Sequence, residues 1–209
     1  MQKRFFSWFP ALCLLTLIGS PAQAEQGSFY FGVQGGGTYV QDINEDLPNK
    51  LLVEPGLAVG AVAGYTMKNL EGADVRLEAE LAYRYNEADE FQQSDVDGDI
   101  SSSALMFNAA VDFVNKTAFT PYVMAGLGAA NVSFNDLESG GITFLDDDDT
   151  VLAYQYGVGC GFNLTEKLAL DLGYRYFSTA KPEVKFESGV KGKLNYKNHA
   201  LMLGLRFSF

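Results

Sequence analysis

From residue 28 onward, apolar and polar residues alternate one by one through eight separate segments. A repeat of two, where a helix would show 3.6, restricts the chain to strands. The segments cover 28–40, 57–66, 74–85, 101–114, 119–134, 150–163, 167–178 and 196–209. Connections between them alternate as well: short at 67–73, 115–118 and 164–166, long at 41–56, 86–100, 135–149 and 179–195. Tight turns on one side and long polar loops on the other predict an all-β fold, an up-and-down antiparallel barrel of eight strands whose termini lie on the turn side. A sandwich with Greek-key crossings has no reason to alternate its connections in this way.

The third segment shows the two faces. Val75, Leu77, Ala79, Leu81, Tyr83 and Tyr85 fall on one side, and Arg76, Glu78, Glu80, Ala82 and Arg84 on the other. Alternation alone does not say which side faces out, because a lipocalin-like soluble barrel would turn the apolar set inward. Three features favour apolar residues outside. Glycines gather on the polar face, at Gly32, Gly60, Gly64, Gly157, Gly159, Gly161 and Gly173, as a narrow interior requires. Aromatics of the apolar face collect near strand ends. Phe29, Phe31, Tyr65, Phe113, Phe119, Phe162, Phe207 and Phe209 lie at the turn side, and Tyr39, Tyr83, Tyr85, Tyr174 and Tyr176 at the loop side, like two interfacial girdles. The polar face also balances its charges. Arg76, Arg84, Arg175 and Arg206 are expected to meet Glu78, Glu80, Asp112 and Asp171 in a lumen network, with Tyr30, Gln34, Asn108 and Gln155 as uncharged partners. In the fifth segment the Pro121, Val123, Ala125, Leu127 and Ala129 set is placed outward.

The first 24 residues read differently. Lys3 and Arg4 precede an apolar run, 11–19, that ends in Gly19, Ser20 and Pro21 and leads to Ala22, Gln23 and Ala24. This predicts a cleavable signal peptide over 1–24 and a barrel domain over 25–209. Nothing after Ala24 is apolar for long enough to span a bilayer as a helix, so a membrane location requires strands. Lys3 and Arg4 are the only charges in the leader, leaving 13 basic against 26 acidic residues, which argues against nucleic acid as a partner. With Cys13 in the leader, Cys160 is the only other thiol, and no intramolecular disulfide is expected in the mature chain.

Three strings, FTPYVMAGLGAA (119–130), AYQYGVGCGFNLTEKLALDLGYRY (153–176) and HALMLGLRFSF (199–209), resemble the small outer-membrane β-barrel superfamily of opacity proteins, OmpA-type and porin-like barrels. The resemblance spans the whole mature chain. It implies a bacterial outer-membrane location with outer-membrane lipid, lipopolysaccharide and the barrel-assembly machinery as partners. Leu201, Leu203, Leu205, Phe207 and Phe209 alternate up to a terminal aromatic, and by this resemblance Phe207 and Phe209 would form the assembly signal. Superfamily members serve as adhesins, immune-evasion surfaces, envelope proteins and, more rarely, channels, so fold outruns function.

No residue constellation points to catalysis. His199 is the only histidine, and Asn198, Ala200 and Leu201 around it supply no nucleophile for a lipid A hydrolase. Asp95, Asp97, Gly98 and Asp99 look like the start of a calcium loop, but Ile100 and Met106 stand where glycine and glutamate are needed. The acidic run 146–149 reads as a solvated loop, so neither a metal nor a cofactor is expected. The last loop carries Lys181, Lys185, Lys191 and Lys193 against Glu183 and Glu187, a set suited to lipopolysaccharide phosphates. Short apolar stretches at 51–53 and 142–145 suit packing between loop hairpins or a partner patch. The leading expectation is a non-enzymatic surface protein that displays loops for adhesion, host interaction or envelope integrity. The alternatives are a narrow diffusion channel and a lipid A-modifying enzyme.

Overall fold

The computed structural model describes residues 27–41, 51–70, 72–91, 94–95, 97–139, 142–185, 191–193 and 196–209; the signal peptide expected over 1–24 lies outside the described residues. The strands are β1 (Gly27–Gln41), β2 (Leu51–Val53), β3 (Gly56–Leu70), β4 (Ala73–Phe91), β5 (Ser94–Asp95), β6 (Asp97–Phe113), β7 (Phe119–Ser139), β8 (Ile142–Asn163), β9 (Leu168–Thr179), β10 (Glu183–Lys185), β11 (Lys191–Lys193) and β12 (Lys197–Ser208). Eight of them close a cylinder in the order β1, β3, β4, β6, β7, β8, β9, β12 and back to β1, every neighbour antiparallel. The closing seam pairs Tyr30 with Ser208 and continues to Gln41 opposite Lys197. Short β2 and β5 pair with the far end of β4, and β10 pairs with β11.

The faces divide as the alternation requires. Leu152 is 76%, Leu127 71% and Leu57 69% exposed, while Glu80 is 1% exposed. Large apolar side chains standing free beside a buried carboxylate are the reverse of a water-soluble barrel, and they define a lipid-facing belt. The Pro121 set of β7 is on the outside, and Tyr122 and Met124 are buried within. Rings at the turn side touch across strands: Phe29 with Tyr65, Phe119 with Phe162, and Phe31 with both Phe207 and Phe209. At the loop side, register aligns Tyr39, His199, Tyr176 and Tyr156 in one row.

Glycine placement follows interior crowding. A Cβ on Gly126 would strike the Asn108 amide, and one on Gly159 would strike the Tyr122 ring. Each glycine therefore cedes its volume to a large side chain from a neighbouring strand.

The connections depart from expectation. Strands β4, β6, β7 and β8 continue well past the loop-side aromatic row, so most of 86–100 and 135–149 is ladder and not loop. Register persists through Asn86↔Ile100 and Glu87↔Asp99, and through Phe134↔Asp147 to Ser139↔Ile142. The β3–β4 connection is tighter than 67–73: the ladder closes at Leu70↔Ala73, and Gly72 takes φ 86°, a left-handed conformation suited to glycine. In β7 a bulge centred on Asp136, at φ 44°, inserts an extra residue so that both Phe134 and Leu137 point inward.

Candidate functional site: lumen and extracellular hairpins

The inward face of β4 carries half of the eight lumen charges, Arg76, Glu78, Glu80 and Arg84. Arg76 donates from Nη1 to Glu78 at 2.7 Å and from Nε to Asp112 at 2.9 Å, while Tyr30 donates to Glu78 at 2.7 Å. Arg206 lies 3.3 Å from Asp171 and 3.8 Å from Asp112, so these carboxylates share two guanidiniums. Glu80 is the centre of the network. Its Oε1 accepts from Arg175 at 2.6 Å and Gln34 at 2.7 Å, and its Oε2 from Asn108 at 2.8 Å and Gln155 at 2.7 Å. Four donors on one buried carboxylate offset the several kcal/mol that stripping water from it costs. The four uncharged residues singled out from sequence all take part.

Arg84 corrects the expected four-against-four pairing. It shares the inward face of β4 with Glu80, two pleat repeats further out, yet among the described residues it forms no ion pair. Its guanidinium instead lies 3.9 Å over the Phe177 ring. Three arginines thus serve four carboxylates in the lower lumen, and the fourth arginine stands alone above them.

Above Glu80 the interior becomes mostly apolar, with Thr38, Arg84, Asn86, Ser102 and Asn198 as buried polar exceptions. Val40, Ile100, Ala104, Met106, Val132, Phe134, Leu137, Leu145, Ala153, Phe177 and Tyr196 form a single buried cluster. Val53 and Leu145, from the two apolar loop stretches, pack into it, which is the hairpin-packing reading for those residues. Outside this level the exterior turns polar. Asn131 donates to Asp148 at 2.7 Å and to Thr150 at 3.2 Å, and Asn135 donates to Asp99 at 2.6 Å. Asp149 accepts from the Glu183 backbone N–H at 2.9 Å, tying the β8 acidic run to the β10–β11 hairpin. In that hairpin Glu183 lies opposite Lys193 and Lys185 opposite Lys191, while Lys181 is exposed just before it. All three aspartates read as a calcium-loop start are engaged in strands: Asp95 pairs with Glu90, Asp97 with Glu138 and Asp99 with Asn135.

His199 faces outward in the loop-side row. Its Nδ1 lies 2.6 Å from the Tyr174 hydroxyl, and its ring meets Tyr176 edge-on. Phe209 donates its backbone N–H to Phe29 at 3.0 Å, and Ser208 to Lys167 at 2.8 Å, locking the end of β12 to its neighbours. A cavity in the lower lumen, bordered by Tyr30, Arg76, Asp171 and Arg175, measures about 30 Å³, and a wider one of about 480 Å³ lies at the turn-side mouth beside Asp112, Lys167 and Arg206.

Sequence reasoning missed Tyr196, Ser102 and Phe177. Ser102 and Phe177 lie on inward phases that were legible, but nothing in one sequence marks them as neighbours of Arg84.

This chain is 29% identical over 215 residues to the outer membrane protein PagN of Salmonella typhimurium, covering 88% of the chain and 87% of that protein. It is 32% identical over 117 residues to an adhesin candidate of Rickettsia conorii, covering 50% of the chain and 47% of that protein. The crystal structure of Neisserial surface protein A shares the fold at a TM-score of 0.57 and 21% identity, covering 88% of this chain and all of that one. Residues 10–209 match the model of the outer membrane protein beta-barrel domain, and the chain belongs to that family of bacterial outer-membrane proteins.

Proposed function

We propose that the protein is a non-enzymatic display scaffold whose extracellular hairpins contact host molecules or neighbouring envelope components. The observation that carries this reading is the continuation of β7 and β8 beyond the lipid belt as a packed ladder. Phe134, Leu137 and Leu145 fill its inner side, and carboxylates and amides line its outer side. A hairpin held by a buried core presents its polar face with little ordering entropy left to lose on binding. The likeness to an adhesin candidate agrees with this role. The test is adhesion of cells expressing the protein to host-cell surfaces, before and after residues 86–100 and 135–149 are exchanged for unrelated hairpins. Adhesion that survives the exchange would remove the hairpins from the mechanism.

A diffusion channel is the weaker reading, because the Glu80–Arg175 pair spans the lumen from β4 to β9 and the cavity beside Arg175, about 30 Å³, holds about one water. Stable single-channel steps in planar bilayers would reverse that order. Unchanged lipid A masses in cells with and without the protein would match the absence of enzymatic activity.

The same reading includes maturation and placement. Cleavage after Ala24 would leave Glu25 as the first residue, which N-terminal sequencing of the membrane-inserted protein checks. Phe207 and Phe209 would serve the assembly machinery, and Lys181, Lys185, Lys191 and Lys193 would meet lipopolysaccharide phosphates.

A further inference from the structure

We propose that the extracellular end of the lumen binds one small monovalent anion of the halide class against Arg84, Ser102, Tyr196 and Asn198. All four residues are at least nine-tenths buried, with Arg84 3% exposed and Tyr196 and Asn198 fully enclosed. Five of their polar atoms make no hydrogen bond of good geometry, Arg84 Nε and Nη1, Ser102 Oγ, Tyr196 OH and Asn198 Nδ2, although the Tyr196 hydroxyl lies within reach of Ser102 and Asn198. They belong to one place. Arg84 and Ser102 are cross-strand partners on β4 and β6, Asn198 is opposite Phe177, and the Arg84 guanidinium lies over the Phe177 ring. Tyr196 packs edge-on against the same ring, and its hydroxyl sits among Arg84, Ser102 and Asn198. Burial pushes the Tyr196 phenol up to about 12, so it stays a protonated donor.

Donors outnumber acceptors in this set: Arg84 and the Asn198 amide nitrogen only donate, while the Ser102 and Tyr196 hydroxyls can do either. The Oδ1 of Asn198 is already taken by Thr38, and the nearest lumen carboxylate on the same strand face, Glu80, already accepts four hydrogen bonds. The other unpartnered atoms at this level are Asn86 Oδ1 and Thr179 Oγ1, neither of them charged. Rearranged hydroxyls would satisfy some donors, but no rotation of a neutral group neutralises a buried guanidinium, which costs several kcal/mol. The lower lumen differs: its unpartnered atoms, Arg175 Nε, Gln155 Oε1 and Asp171 Oδ1, mix donors with acceptors, as water-bridged groups do. A chloride-sized anion would accept from several of these neighbouring donors and supply the missing charge.

The test uses the folded protein in detergent micelles, with gluconate replaced stepwise by bromide at constant ionic strength. The expected result is a saturable rise in Tm of about 4 °C once bromide is well above its dissociation constant. Arg84→Met should lose this dependence, and Ser102→Ala should raise the half-saturating bromide about fivefold. Crystals grown in bromide should show an anomalous peak against the Arg84 guanidinium, a readout that holds even if Arg84→Met fails to fold. The proposal is overturned by a Tm indifferent to bromide, by an equal rise in folded Arg84→Met, or by water density alone among the four side chains.

Discussion

The lower and upper parts of β7 are built from the same alternation with opposite meaning. Below Ala130, Val123, Ala125, Leu127 and Ala129 face outward while Tyr122, Gly126 and Gly128 line the lumen; above it, Asn131, Ser133 and Asn135 face outward while Val132, Phe134 and Leu137 are buried. The inversion locates the surface of the hydrocarbon layer. Where lipid lies outside, apolar atoms gain nothing by turning in, and the interior is free to hold charge; where water lies outside, the ordinary preference of a soluble sheet returns. The two regions are therefore held by different forces, and each can be broken separately.

The largest effect is expected in the lower region. Glu80→Leu strips Arg175, Gln34, Asn108 and Gln155 of their shared acceptor, leaves a guanidinium buried without its partner, and should cost about 3–5 kcal/mol in urea unfolding from lipid vesicles. Phe134→Ala should cost about 3–4 kcal/mol, but confined to the upper region. Hydrogen exchange and proteolysis would then accelerate across the β7–β8 extension while heat-modifiable gel migration of the barrel stays unchanged. A gel shift lost along with the hairpin would mean that the two regions are one cooperative unit. Moving the same charge along one outer face sharpens the boundary itself: Leu127→Arg should cost about 2–4 kcal/mol and Asn131→Arg about 0–1 kcal/mol. Equal costs would place the hydrocarbon edge elsewhere. The smallest effect is expected above the membrane. Lys181, Lys185, Lys191 and Lys193 changed together to Gln should weaken lipopolysaccharide binding severalfold at low salt, with the difference fading as salt rises.

Barrel closure, strand count, phase and the membrane-level charge set were legible because each rests on a repeat of two within one segment. Loop limits were not, and β7 and β8 show why. A segment in which polar residues face out and apolar ones face in has the same period as its neighbour with inverted sign, and a four-aspartate run over 146–149 masks it. The Asp136 bulge adds a phase slip that no periodic template follows. Arg84 was misplaced for a different reason. Counting four arginines against four carboxylates is a sum over the face, whereas pairing depends on depth, and depth places Glu80 within reach of Arg175 but gives Arg84 only an aromatic ring.

The seam between β1 and β12 carries a consequence for how the molecule comes to exist. Tyr30 meets Ser208, so no step-by-step zippering along the sequence can form that ladder until every other strand is in place. Until then the nascent sheet has two raw edges, each a template for a foreign strand. Both borders therefore stay open to mispairing until the moment they meet each other.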